Sequence, residues 1–285
     1  MSRTARTAPP GRTAVAAACT AAFLALGPLP AAAGAAGPLP VDSGGAPVPV
    51  EPGPGKEAGG WQGEGLSLNA ADNRAADAFL DRARRAERSI SPQIRATARL
   101  SGAELVGFDA RLKSPDSLKR KVATSMEEKP GRTVEQALAR INDSVRYTLQ
   151  WPDARYTRGV TFAATTLADW GNSTVKWSNT WGREKGYKAV NSAWAAPRSG
   201  HVFEVQFHTP AGKQAQLRTH KLYEEQRLPS TSPTRAQELQ REQDRIFAAV
   251  PVPEGAAALQ PPAEVAARPG ATASGRGAEV TAPVR

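Results

Sequence analysis

The chain contains one cysteine in 285 residues, Cys19, and that residue lies in a stretch that reads as a leader. Once the leader is removed, the chain can form neither a disulfide nor a thiolate metal site, and it has no cysteine nucleophile. A domain without disulfides must rely on its own core, which is feasible from about 150 residues upward. No apolar run reaches the roughly 20 residues of a membrane span, because Gly27-Pro28 cuts short the one over 14–26. No internal repeat is present.

At the amino terminus Arg3, Arg6 and Arg12 precede that apolar run, and small residues follow over 31–36. This is the pattern of a secretory signal peptide, residues 1–36, cleaved after Ala33 or Ala36. It implies a secreted protein with no membrane attachment after cleavage. Residues 37–60 and 251–285 are rich in Pro, Gly, Ala and Val and lack both periodicity and aromatic anchors. They read as spacer and tail, leaving 61–250 as the folded domain. The formal charge of +10 includes the three leader arginines, and the excess left without them suits an anionic ligand. The basic residues are spread over the domain, so a nucleic-acid binder is only the second reading.

Within the domain, apolar spacing predicts a helix over 66–85 and another over 91–100, with Ser91 as N-cap and Pro92 at its first position. A strand is expected over 104–112, then helices over 115–126, capped by Ser114, and 133–142. β-rich segments at 144–151, 174–181, 188–194 and 201–208 follow, with a helix ending at Gly171 between the first two. Helices over 211–227 and 233–249 close the domain. The order argues an α+β fold with a single mixed central sheet of about five strands flanked by helices.

Chemistry concentrates in FDARLKSPDSLKRK, 108–121. Arg111 and Lys113 would project from one side of a strand end, and Ser117 and Lys121 share a helical face. Such cations either converge on a multiply charged anion or form a solvated basic surface. Asp143 opens a β segment and Glu204 lies between Phe203 and Val205, so each carboxylate faces solvent on a one-sided sheet or lines a site. Mg²⁺ on nucleotide phosphates is held by one or two such groups. Tyr187, after Gly186, is either a core aromatic or a ring open to a flat base. His220, Tyr223, Glu224 and Arg227 share one helical face, which makes either a polar site wall or a salt-bridged surface.

Taken in order, these motifs resemble the synthetase domain of the RelA/SpoT alarmone family, over about residues 66–247. Arg111, Lys113, Ser117 and Lys121 match its Arg-x-Lys, Ser and Lys signature; Asp143 with Arg146 matches its acidic strand start. Gly186-Tyr187, Glu204-Val205-Gln206 and the His220–Tyr223 helix match its later motifs. With the leader, the sequence is most similar to secreted nucleotide 3′-pyrophosphokinases, and no His-Asp metal motif of the hydrolase half precedes residue 100.

The resemblance implies a nucleotidyltransferase-related fold and a Mg²⁺-dependent transfer of pyrophosphate from ATP to the 3′-hydroxyl of a purine nucleotide. ATP would be held by Arg111, Lys113, Ser117, Lys121, Arg146, His220 and Tyr223. Asp143 and Glu204 would be the catalytic and metal carboxylates, Glu204 either completing the metal shell or accepting the hydroxyl proton. The acceptor would meet Tyr187, Lys185, Asn191, Gln206 and His208. Lys185, Asn191 and His208 depart from the family's Asn, His and Arg, which implies an acceptor site not restricted to guanine. The expectation is a monomer that uses no nucleic acid; a non-catalytic nucleotide-binding module and an ATP-depleting toxin remain as alternatives.

Overall fold

The computed structural model describes residues 59–263 apart from 227 and 229. The expected signal peptide, nearly all of the spacer, Arg227 and the tail beyond 263 lie outside the described residues. A short ribbon of β1 (Trp61–Gly63) and β2 (Leu66–Leu68) leads into α1, Ala70–Ser101. The two helices expected from the sequence are therefore one. Pro92 sits inside α1, and the N-cap is Asn69, whose side chain accepts from Asp72 N. An internal proline costs a helix about 3 kcal/mol. Ala83, Ala86, Ile90, Ile94 and Ala98 form one continuous buried stripe across it, and burial of two isoleucines alone offsets that cost. Ser91 is no cap; its hydroxyl is buried between Glu87 and Tyr147.

The strand expected over 104–112 is also shorter. β3 is Glu104–Val106, after which Gly107, at φ 63°, turns the chain into a 3₁₀ turn at Phe108–Ala110. Helix α2 (Pro115–Glu127) starts where its cap predicts, the Ser114 hydroxyl accepting from Ser117 N. Helix α3 (Val134–Leu138) is short and opens with a capping box of Thr133 and Gln136. Then come β4 (Arg146–Gln150), α4 (Asp153–Asp169), β5 (Ser173–Asn179), β6 (Val190–Ala195), β7 (Val202–His208), α5 (Pro210–Gln226) and α6 (Pro233–Ala248). Gly171, at φ 85°, follows the end of α4 as expected.

The five-stranded sheet runs β3-β4-β7-β6-β5, with β4 and β7 parallel and every other pair antiparallel. This is the mixed α+β architecture read from the sequence. Two apolar clusters flank it. The larger joins the second half of α1, α4 and one face of the sheet. The smaller joins the first half of α1 to β2, α2 and α3 through Leu68, Leu80, Leu118, Val122 and Leu138. No helix among the described residues is long and apolar enough to cross a membrane.

Residues 251–263, assigned to the tail by composition, pack on the domain instead. Ala256 and Leu259 are buried, Asn179 Nδ2 donates to Ala256 O (2.8 Å) and Leu259 O (3.1 Å), and Trp177 Nε1 reaches Leu259 O. Three buried residues, Pro253, Ala256 and Leu259, together with bonds to its carbonyls hold the segment in place, and composition averages over them.

Candidate active site

The central parallel pair sets Arg146 opposite Glu204, Thr148 opposite Gln206 and Gln150 opposite His208. Strand alternation then separates the faces. Tyr147, Leu149, Phe203, Val205 and Phe207 enter the larger core. Arg146, Thr148, Glu204, Gln206 and His208, with Asn191 of β6 opposite Gln206, form a polar face. That face is buried rather than open: Glu204, Gln206, His208 and Thr148 are all largely removed from solvent. The exposed-face reading of Glu204 is thus ruled out.

At the upstream end of this face, residues 111–113 pair with 144–146 through Arg146 N to Arg111 O and Lys113 N to Ser144 O, flanking the Leu112–Val145 bridge. Lys113 Nζ donates to Asp143 Oδ2 at 2.8 Å, and Lys121 Nζ of α2 to Oδ1 at 2.9 Å. Asp143 is buried, which alone would raise its pKa, but the two ammonium groups hold it well below the usual carboxylate range. Lys113 is lowered by its own burial against the pull of Asp143. Glu204 behaves oppositely. Burial, then the charge of Asp143, pushes it up to about 7, although Arg146 and a 2.7 Å bond from Gln206 Nε2 favour its anion. Two carboxylates are thereby split into a permanent anion and a group that titrates near neutrality.

Helix α5 adds a cation that the sequence did not reveal. Lys213 is buried, donates to Gln216 Oε1 at 2.8 Å, and has its pKa pushed down to about 8 by burial and by Arg146. From the sequence only a helix over 211–227 is expected, and the register of α5 against the sheet turns Lys213 inward. Arg146 forms no ion pair among the described residues.

Several expected site residues lie elsewhere. Arg111 has αR backbone at the end of the 3₁₀ turn, which breaks the strand alternation, so its guanidinium turns to α1. There Nε donates to Glu87 Oε1 at 2.5 Å and the group lies 4.3 Å over Phe108. Ser117 accepts from the Ser114 hydroxyl in the first turn of α2. Tyr187 is a core residue, not an open platform. Only 7% of it is exposed, its hydroxyl bonds Asn191 Oδ1 and His208 Nε2, and its ring meets His208 and Phe247 edge-on. His208 is held neutral by burial, and its Nδ1 has no hydrogen-bond partner. Lys185 is exposed in the β5–β6 connection. His220 lies 3.4 Å from Glu224 one turn further along α5, the salt-bridge reading of that helix, and Tyr223 is half-buried beside them.

Among the described residues no three His, Cys, Asp or Glu side chains converge on a metal. The pair Asp143 and Glu204 nevertheless fits Mg²⁺, which takes one or two carboxylates and fills its shell with water and phosphate oxygens. The charge of Asp143 raises Glu204 more than either Arg146 or Lys121 lowers it.

The fold and this face together set two carboxylates with opposite pKa shifts among Lys113, Lys121, Arg146 and Lys213 on a mixed sheet. No protein-family profile matches the chain, and no curated protein matches its sequence. Among solved structures the chain is similar to small alarmone synthetase 1 from Bacillus subtilis, at 17% identity and TM-score 0.44, over 60% of this chain and 90% of the other. It is also similar to that Bacillus subtilis protein bound to its product pppGpp, at 15% identity and TM-score 0.42, over 61% and 91%. A third is smu.1046c of Streptococcus mutans, at 14% identity and TM-score 0.44, over 60% and 89%.

Proposed function

We propose that this chain is a secreted, Mg²⁺-dependent nucleotide pyrophosphokinase. The observation that carries the reading is the split carboxylate pair Asp143 and Glu204 set among Lys113, Lys121, Arg146 and Lys213. The ordered motifs that resemble RelA/SpoT synthetases support it, and the leader supports export.

In the proposed reaction the acceptor 3′-hydroxyl oxygen attacks the β-phosphorus of ATP, the bond from that phosphorus to the α,β-bridging oxygen breaks, and AMP leaves. Such chemistry asks mainly for positioning and charge neutralisation. Glu204, titrating near 7, takes the hydroxyl proton, and Gln206 fixes its Oε1. Asp143, with Glu204 beside it, would hold Mg²⁺, which when bound neutralises phosphate charge. Lys113 stays with Asp143, its side chain only 5% exposed, whereas Lys121, at 44%, is free to turn to the triphosphate. Arg146 and Lys213 line the same face and complete the phosphate cradle. Arg111 and Tyr187 have no direct role in this arrangement. Acceptor selection then rests on phosphate charge more than on the base, so adenine and guanine nucleotides both serve.

The deciding experiment incubates the purified protein with Mg²⁺ and β-labelled ATP, alone and with GTP, and identifies products by mass. A product carrying both phosphates on an acceptor ribose, with equimolar AMP, is expected. Binding of ATP without AMP release would make the chain a nucleotide-binding module instead.

A further inference from the structure

A cavity of about 390 Å³ opens where α1 meets the β6–β7 turn. Arg82, Arg85 and Ser89 line it from the helix, and Arg198, Ser199 and His201 from the turn. It lies on the α1 side of the sheet: the His201 ring is 5.6 Å from that of Phe79 of α1, whereas Glu204 belongs to the opposite, polar face. None of its lining residues takes part in the Asp143–Glu204 site.

The charge of this cavity is one-sided. Three guanidiniums border it and no carboxylate does. Among the described residues none of the three forms an ion pair, although Arg84, next along the helix, pairs with Asp81. Arg82 instead rests 5.6 Å from the Phe79 ring centre. Like charges gathered around a concave wall raise the local potential and concentrate anions there. Guanidinium forks match phosphate oxygens bidentately, and two serines supply neutral partners. His201 is held neutral by burial and by Arg82, and its Nε2 shares a 3.0 Å hydrogen bond with Ser144 Oγ, directly beside Asp143. The volume exceeds what orthophosphate needs and lies within the range of small-molecule sites, roughly 300–1,000 Å³. A local concavity of this kind differs from the extended basic stripe that tracks a nucleic-acid backbone.

From this convergence of Arg82, Arg85, Arg198 and His201 on one cavity, we infer a second anion site that takes a small molecule bearing a pyrophosphoryl group, free or carried by a nucleotide. The assignment does not rest on the pyrophosphokinase reading.

The test follows the His201 ring signals by NMR while the full chain is titrated with inorganic pyrophosphate, ATP or adenosine. His208, on the Arg146–Glu204 face, reports occupancy of that other site separately. His201 is expected to shift with pyrophosphate and with ATP, and not with adenosine. Arg85→Gln with Arg198→Gln should weaken that response about tenfold or more, as two charge-assisted contacts are lost. Both side chains are exposed, so Tm should not change. Arg85→Lys with Arg198→Lys, which keeps charge and loses the fork, should fall between. Equal response to ATP and pyrophosphate places recognition in the phosphates alone, and a stronger response to ATP adds the nucleoside. The inference is overturned by His201 signals that neither probe moves, by unchanged affinity in the glutamine variant, or by a response to single-stranded oligonucleotide alone. Loss of product in the ATP assay with the His201 response intact would reject the pyrophosphokinase reading and leave this site standing.

Discussion

Arg146 and Glu204 face each other across the parallel β4–β7 pair, yet they form no ion pair. The carboxylate is left buried with its pKa raised, and the guanidinium has no ion-pair partner among the described residues. An ion pair there would have cancelled both properties.

The two carboxylates should therefore fail in different ways. Glu204→Gln removes the proton acceptor and should lower kcat by about 10²–10⁴ while the fold stays intact. Asp143→Asn should lower kcat comparably, and it also leaves Lys113 buried without its counter-charge, so unfolding free energy should fall by about 3 kcal/mol. Steady-state kinetics and urea denaturation measure both. Near wild-type turnover in either variant would remove that residue from the mechanism.

Glu204 also predicts how stability depends on pH. Its pKa is about 7 when folded against an ordinary 4.5, so between those values the native state binds more protons than the unfolded chain. Stability should decline as pH rises from 4.5 to 7, by up to about 3 kcal/mol from this group, and Glu204→Gln should abolish that decline. Asp143 has the opposite sign: its lowered pKa gives stability that is present above pH 4 and lost as pH falls further. Denaturant midpoints across pH 3–8 would show whether the two slopes belong to these residues.

Lys213 is assigned to phosphate contact by position alone, which makes it a sharp test of the site's outline. Lys213→Met should raise KM for ATP about tenfold or more and leave Tm unchanged or higher, since a buried ammonium next to Arg146 is costly. A lower Tm with unchanged KM would make it a structural residue.

Tyr187 should behave as core. Tyr187→Ala should cost about 3–5 kcal/mol in urea denaturation, and Tyr187→Phe about 1 kcal/mol through loss of the His208 and Asn191 bonds. Acceptor KM should be unchanged in Tyr187→Phe. A stacking ring would give the reverse pattern, a stable Ala variant with impaired acceptor binding.

Ending the chain at residue 250 should lower Tm, because Ala256 and Leu259 leave their sites and Asn179 and Trp177 lose carbonyl partners. Ending it at 263 should not. Thermal unfolding of the two truncations decides it.

What could be read from the sequence was what is encoded locally or in motif order. Ser114-Pro115 and Ser232-Pro233 mark helix starts because hydroxyl, proline and backbone act within one turn. Lys113, Lys121 and Asp143 each stood out by motif order, but the pairing of both lysines with Asp143 was visible only in the structure. Arg111 was misread because a single αR residue reverses its side, and no spacing rule carries that information. Pro92 was taken as a boundary because local cost is visible in a sequence and burial across two elements is not. Lys213 and Tyr187 depended on which way α5 and the β5–β6 connection turn against the sheet, a property of packing that side-chain type does not reveal.

The unbroken course of α1 ties electrostatics to cooperativity. Its first half belongs to the cluster that carries α2 and so Lys121, and its second half to the cluster under β4 and β7, which carry Arg146 and Glu204. The two ion pairs on Asp143 therefore span separate packing units joined by one rod. Any sub-global opening that frees the smaller unit withdraws Lys121 from Asp143 at the same moment. The chain thus has this charge pattern only while both units are docked, and amide exchange in α2 should report the docked population directly.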